Sequence, residues 1–167
     1  MKLKGRAWKF RDNISTDDIA PGRYFHLRSN LPELAKHALE SENTNFASSV
    51  NKGDFIVAGE NFGLGSSREH APAILKLLGV SAILAPSFAR IFFRNAINLG
   101  IPLLITATDS IVDGDELEVS LTTGEIKNMR TGSVLKTQKI PLFMLEILQA
   151  GGLIPYLAEN KDFKIPG

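Results

Sequence analysis

Between residues 63 and 70 the chain reads Gly-Leu-Gly-Ser-Ser-Arg-Glu-His, directly ahead of a segment with helical periodicity. Two glycines let backbone N–H groups converge, and a following helix start adds positive potential. Arg68 can hold a carboxylate through two parallel hydrogen bonds, and Ser66 and Ser67 offer hydroxyls beside it. The stretch therefore has the chemistry of an anion cradle. It also has a plainer reading: Ser66 and Glu69 have the spacing of a capping box, which would only start a helix. Pro72 argues against a helix beginning at Ser66, because it would sit past the first turn without an N–H. The expectation is a loop over GLGSSREH, with the helix starting near Ala71 or Pro72.

A second group lies upstream in NISTDDIAPGRYFHLRSN, residues 13 to 30. Thr16, Asp17 and Asp18 can cap a turn, Pro21-Gly22 is turn chemistry, and Arg23 and Arg28 read equally as solvated loop charges or as anion ligands. A third group, Arg90 and Arg94, is spaced i, i+4 on one helix face and suits a surface role or an internal ion pair. His26, His37 and His70 share no metal-ligand spacing and read as structural. Nucleotide motifs fail in detail. The glycine run lacks the third glycine of a dinucleotide fingerprint, no Lys-Ser/Thr completes a phosphate loop, and G-x-S-x-G is absent.

These groups need a scaffold that brings loops together. FIVA (55–58), SAILA (81–85) and PLLIT (102–106) are short apolar runs, alternating with segments in which Ile74, Leu75, Leu78 and Phe88, Ile91, Phe92 recur at helical spacing. Gly79 and Gly100 stand where such helices would end. Strand, helix, strand, helix, strand predicts a parallel sheet, and the GLGSSREH loop then lies at its carboxyl edge, where ligands of open α/β sheets bind. From residue 116 the pattern alternates and is broken by Thr123-Gly124 and Thr131-Gly132, predicting antiparallel strands joined by turns. GRAWKF predicts a further strand, ELAKHALES (33–41) a short helix, and PLFMLEILQAGG a helix closed by Gly151. The fold class is α/β, with a parallel core sheet and added antiparallel strands. One domain over residues 1–167 is expected, with the tail from about Glu159 loosely ordered.

Composition narrows the functions. Nineteen basic and 18 acidic residues give a formal charge of +1, so no global field holds nucleic acid or an anionic membrane. No apolar run is long enough to span a bilayer, the N-terminal residues lack the apolar segment of a signal peptide, and the cytoplasm is the simplest location. The chain has no cysteine, hence no thiolate for zinc or an iron–sulfur cluster.

GENFGLGSSREHAP, SFARIFFRNAINLG and the upstream STDDIAPGRYFHLRS together resemble the family of 3-isopropylmalate dehydratase small subunits, which is similar to the swivelling C-terminal domain of aconitase. The resemblance runs from Gly5 to about Ala158. It implies a β/β/α swivelling domain that closes over a larger subunit carrying a [4Fe–4S] cluster on three cysteines, with no metal bound by this chain. It implies an activity as well: interconversion of 2- and 3-isopropylmalate by dehydration and rehydration, in leucine biosynthesis. By resemblance, Ser66 is the catalytic base, while Ser67, Arg68 and Arg28 bind substrate carboxylate. Thr16 and Asp17 line the site. Ala20 stands where aconitases carry a serine, and the loop RYFHLRSN is longer than in many small subunits. Homoaconitate, citraconate and methylmalate, or 2,3-dimethylmalate are the alternative substrates, and a stand-alone carboxylate-binding module is the alternative from another class.

Overall fold

The computed structural model describes residues 1–160. In chain order the elements are β1 (Lys2–Lys9), α1 (Thr16–Ile19), a 3₁₀ segment (Gly22–Leu27), α2 (Leu31–Ala35), α3 (Phe46–Ser49), β2 (Phe55–Val57), α4 (His70–Leu77), β3 (Ala82–Ala85), α5 (Arg90–Asn98), β4 (Leu103–Ile105), β5 (Glu116–Ser120), β6 (Glu125–Asn128), β7 (Val134–Lys136), α6 (Leu142–Ala150) and α7 (Leu153–Asn160). All seven strands form one sheet in the order β4-β3-β2-β1-β5-β6-β7. The pairs β1–β2, β2–β3 and β3–β4 are parallel, and β1–β5, β5–β6 and β6–β7 are antiparallel.

β1 belongs to both halves. Ala7–Lys9 pair in parallel with β2, while Lys2–Arg6 pair antiparallel with β5. The short apolar strands are buried on both faces for two different reasons. Ile56, Ile83 and Ala85 face a core built with all the longer helices, around Leu34, Ile74, Phe92, Ile147 and Tyr156. Phe55, Val57, Ala82 and Leu84 face a second core closed by Val119, Leu121 and Ile126 of the antiparallel half. The sheet thus curls so that its own antiparallel strands cover the face that helices leave open, which gives the β/β/α layering.

The structure corrects three boundaries. α2 begins at Leu31 rather than Glu33, because Asn30 accepts from the Glu33 N–H and Pro32 suits a first turn. It stops at Ala35. From there the chain makes three-residue turns that bring Leu39, at φ 54°, into the core with its N–H on Ile19 O. Glu159 and Asn160 belong to the helix α7, which the sequence pattern did not single out; the remainder of the expected loose tail lies outside the described residues. Gly79 and Gly151 close α4 and α6 with φ near 90°, the left-handed geometry their positions require.

Candidate active site

Three consecutive parallel strands send their outgoing loops over one edge of the sheet. Residues 13–20 follow β1, residues 59–69 follow β2, and residues 86–89 follow β3. β1 and β2 are neighbours, so their outgoing loops run side by side. Asn13 N–H donates to Glu60 O, Gly63 N–H to Ile14 O and Thr16 N–H to Leu64 O, each within 2.7–2.8 Å. Phe62 pairs likewise with Phe88 on the third loop.

Gly63 and Gly65 are required here. Gly63 has φ 86°, and a Cβ on it would lie 2.3 Å from Cγ of Phe92, so only glycine lets the loop rest on α5. Gly65 has φ 108°, with the Thr16 hydroxyl 3.2 Å from the place of a Cβ. Thr16 is 3% exposed. Its hydroxyl donates to the backbone carbonyl of Ser66 at 3.1 Å, so it holds the serine loop from beneath and does not face solvent.

Ser66 and Ser67 are exposed at the bend. The helix begins at His70, close to the expected start, with no side-chain cap at Glu69. The capping box lies elsewhere. Ser15 and Asp18 make it around α1, Ser15 Oγ accepting from Asp18 N–H and Asp18 accepting from Ser15 N–H. Ser66 Oγ instead accepts a hydrogen bond from Nε of Arg68 at 3.1 Å. Nη1 of Arg68 donates to Asp17 Oδ1 at 3.2 Å and to Ala20 O at 3.0 Å. Its Nη2 makes no hydrogen bond among the described residues. Asp17 Oδ1 also accepts from Gly22 N–H at 2.9 Å, tying the start of the 3₁₀ segment to the same guanidinium. The small side of Gly22 matters, since a Cβ there would lie 2.7 Å from Asp17 Oδ1.

Arg28 reaches the same region from the other end of that segment. It is exposed, donates from Nη1 to Phe25 O at 3.1 Å, and lies 4.2 Å over the Phe25 ring. The Arg68 guanidinium lies 6.0 Å from the same ring, and His70 meets its edge at 5.9 Å. Both guanidinium groups thus lie against the Phe25 ring. The His70 imidazole is held below its ordinary pKa, first by burial and then by the positive charges of Arg68 and Arg28. Arg28 and His70 open into a cleft of about 540 Å³ whose walls are largely Leu31, Ala73, Leu99, Leu153 and Ile154.

Phe25 and His70 are site features that sequence reasoning missed. An exposed aromatic in a turn and a histidine two residues after the arginine were the available signals. Arg23 stays exposed but pairs with Glu40, so it is a loop charge tied to the fold rather than an anion ligand. Arg90 and Arg94 are exposed and have no carboxylate partner among the described residues, which favours the surface reading. Among the described residues no group of three His, Cys, Asp or Glu side chains could hold a metal ion. Histidines 26 and 37 lie on the 3₁₀ segment and after α2, away from any such grouping.

Residues 10–108 match the family described as the aconitase C-terminal domain. The 3-isopropylmalate dehydratase small subunit 2 of Archaeoglobus fulgidus is 59% identical over 165 residues, 99% of this chain and 100% of that protein. The isopropylmalate/citramalate isomerase small subunit of Methanocaldococcus jannaschii is 55% identical, over 95% of each chain. A crystal structure of 3-isopropylmalate dehydratase from M. jannaschii superposes with a TM-score of 0.91 at 46% identity, covering 96% of both chains.

Proposed function

Because the chain belongs to the aconitase C-terminal-domain family, among the 3-isopropylmalate dehydratase small subunits, we propose that it is the subunit that handles the proton in the interconversion of 2- and 3-isopropylmalate. The observation that carries this reading is the exposed Ser66 hydroxyl under the guanidinium of Arg68, at the carboxyl edge of the parallel sheet. In the reaction, a proton leaves the carbon next to a substrate carboxylate and the hydroxyl leaves the neighbouring carbon. Water then adds back with the opposite regiochemistry.

A serine hydroxyl is a weak base unless its negative form is stabilised. Arg68 offers that stabilisation at Nε, 3.1 Å from Oγ, in the region ahead of an uncapped helix start. Thr16 fixes the loop backbone through the Ser66 carbonyl. Asp17 and Ala20 O hold the guanidinium at Nη1, so it cannot swing away from the serine, and Nη2 is left to receive a carboxylate oxygen. Arg28 supplies a second fork beside Phe25 for the other carboxylate, and Ser67 adjoins Ser66 and Arg68 on the exposed bend. Proton removal concentrates negative charge on the carboxylate next to the reacting carbon. The two arginines bind that species more tightly than the ground state, which is where the rate gain comes from. The apolar wall of the adjoining cleft is suited to an aliphatic substituent rather than a third carboxylate.

Departure of the hydroxyl calls for a Lewis acid. With no cysteine and no suitable donor group among its described residues, this chain does not supply ligands for the [4Fe–4S] cluster of the family, which belongs on the large subunit and supplies that Lewis acidity when bound. This subunit contributes the base and the carboxylate ligands. A related reaction on citraconate and methylmalate is the second reading, favoured by the 55% identical relative named for both isopropylmalate and citramalate. The test is anaerobic co-expression with a cysteine-bearing large subunit, followed by assay of branched and linear 2-hydroxy diacids. Isopropylmalate turnover by the pair, and none by either chain alone, is the expected result. Full function of this chain alone as a carboxylate binder, with no turnover by any pair, would overturn it.

A further inference from the structure

The 3₁₀ segment Gly22–Leu27 carries Phe25 and leads into Arg28, yet contains no buried residue. Only Tyr24 and Leu27 rest, half-buried, against the edge of the main core, so the segment's exact position also depends on specific contacts. At its start, Gly22 N–H is held by Asp17. In its middle, Tyr24 stacks on His37 with ring centroids 3.6 Å apart and planes 12° from parallel. The Arg23 guanidinium lies 5.0 Å from the centre of the same Tyr24 ring.

Glu40 joins these two contacts. One carboxylate oxygen receives Nη2 of Arg23, and the other lies 3.0 Å from Nδ1 of His37. The carboxylate is 22% exposed, the His37 side chain 27% and Arg23 66%, so the inner half of this cluster is shielded while the outer half meets water. Burial alone would raise the Glu40 carboxyl, but hydrogen bonds from His37 and then Arg23 outweigh it and the net shift is downward, so it is charged at neutral pH. Immediately beyond Tyr24, Arg28 N–H and Arg28 Nη1 both donate to Phe25 O. The direction of the Arg28 fork therefore follows the placement of Tyr24 and Phe25.

We infer that Glu40 is a positioning residue for substrate binding: by bridging Arg23 and His37 around Tyr24 it latches the segment that aims Arg28. This rests on the function proposed above, and it extends that function to a residue 12 positions from Arg28 that touches neither the reacting atoms nor the cleft. The serine and Arg68 ride on a different loop, after β2, so the latch governs carboxylate capture more than proton transfer.

The experiment compares wild type, Glu40→Gln, Arg23→Gln, Arg28→Lys and Glu40→Gln/Arg28→Lys in the two-subunit holoenzyme with isopropylmalate. Glu40→Gln is expected to raise KM by roughly 2- to 150-fold, the range for groups coupled by direct contact, with kcat within about twofold. Arg23→Gln follows in the same direction. In the double variant the losses in kcat/KM are less than multiplicative, because the latch acts only through Arg28. In the isolated chain, amide hydrogen exchange of residues 22–30 is faster in Glu40→Gln than in wild type, with the midpoint of global unfolding unchanged. An unchanged KM and unchanged exchange, or fully multiplicative losses, would overturn the latch while Arg28→Lys still reports on the function. No turnover by the wild-type pair on any diacid of the panel would overturn both.

Discussion

Nε of Arg68 and Oγ of Ser66 are 3.1 Å apart, two residues from each other on one glycine-lined bend. The pairing places a permanent cation against the atom that carries negative charge in the proposed mechanism. Because Nη1 of the same guanidinium is occupied by Asp17 and Ala20 O, the cation is fixed there before any substrate arrives.

Removal of the hydroxyl is the direct test of that pairing. Ser66→Ala is expected to lower kcat by about 10²–10⁴-fold, the range for loss of a general base, while co-purification with the large subunit is retained. Turnover at the wild-type rate would remove Ser66 from its role.

Arg28 is tested by keeping its charge and changing its shape. Arg28→Lys retains a cation but loses the planar fork and the stacking on Phe25. A fall in kcat/KM of roughly tenfold or more is expected, since one charge-assisted hydrogen bond is worth about 1.5–3 kcal/mol. Identical steady-state parameters for the two proteins would refute the assignment.

Gly63 tests the seat of the loop. Gly63→Ala places a methyl group 2.3 Å from Phe92 Cγ at φ 86°. Left-handed strain and overpacking together cost roughly 2–5 kcal/mol. Urea denaturation is expected to show a lower midpoint, and a wild-type midpoint would mean that the loop has room to shift.

Acid sensitivity follows from Asp115, a buried carboxylate far from the site. It accepts from Arg130 Nε at 2.6 Å, from Val112 N–H and from Asn128 Nδ2. The Arg130 hydrogen bond chiefly holds its pKa at about 2, below the ordinary 3.8. A depressed carboxyl stabilises the fold above its unfolded pKa, and that contribution is lost as pH falls from 3.8 through about 2. Arg130 is half exposed, so screening reduces the contribution to roughly 1–2 kcal/mol. Asp115→Asn is expected to lower Tm at pH 7 by roughly 2–8 °C and to flatten the change of stability with pH in that window. An unaltered pH profile would show that Asp115 is equally ionised in both states.

The parallel strands, the loop over GLGSSREH and the helix starting near Ala71 were legible because each follows from local chemistry. Apolar runs, glycines at φ > 0 and a misplaced proline act within a few residues. Capping could not be assigned the same way. Ser66-x-x-Glu69 and Ser15-x-x-Asp18 both satisfy short-range patterns; Pro72 spoke against the first, but only the structure showed that Ser15 makes the capping box while Ser66 Oγ accepts from Arg68.

By itself the sequence determined which residue types could form an anion cradle, that this chain brings no thiolates, and which family it resembles. Tertiary structure alone decided that Thr16 is buried under the serine loop, that Asp17 restrains Arg68, and that the Phe25 ring comes up against Arg68. Those relations span 43 to 51 residues of chain. They exist because β1 and β2 lie side by side and send their loops over one edge of the sheet, a pairing fixed by the curl that buries both faces of the strands.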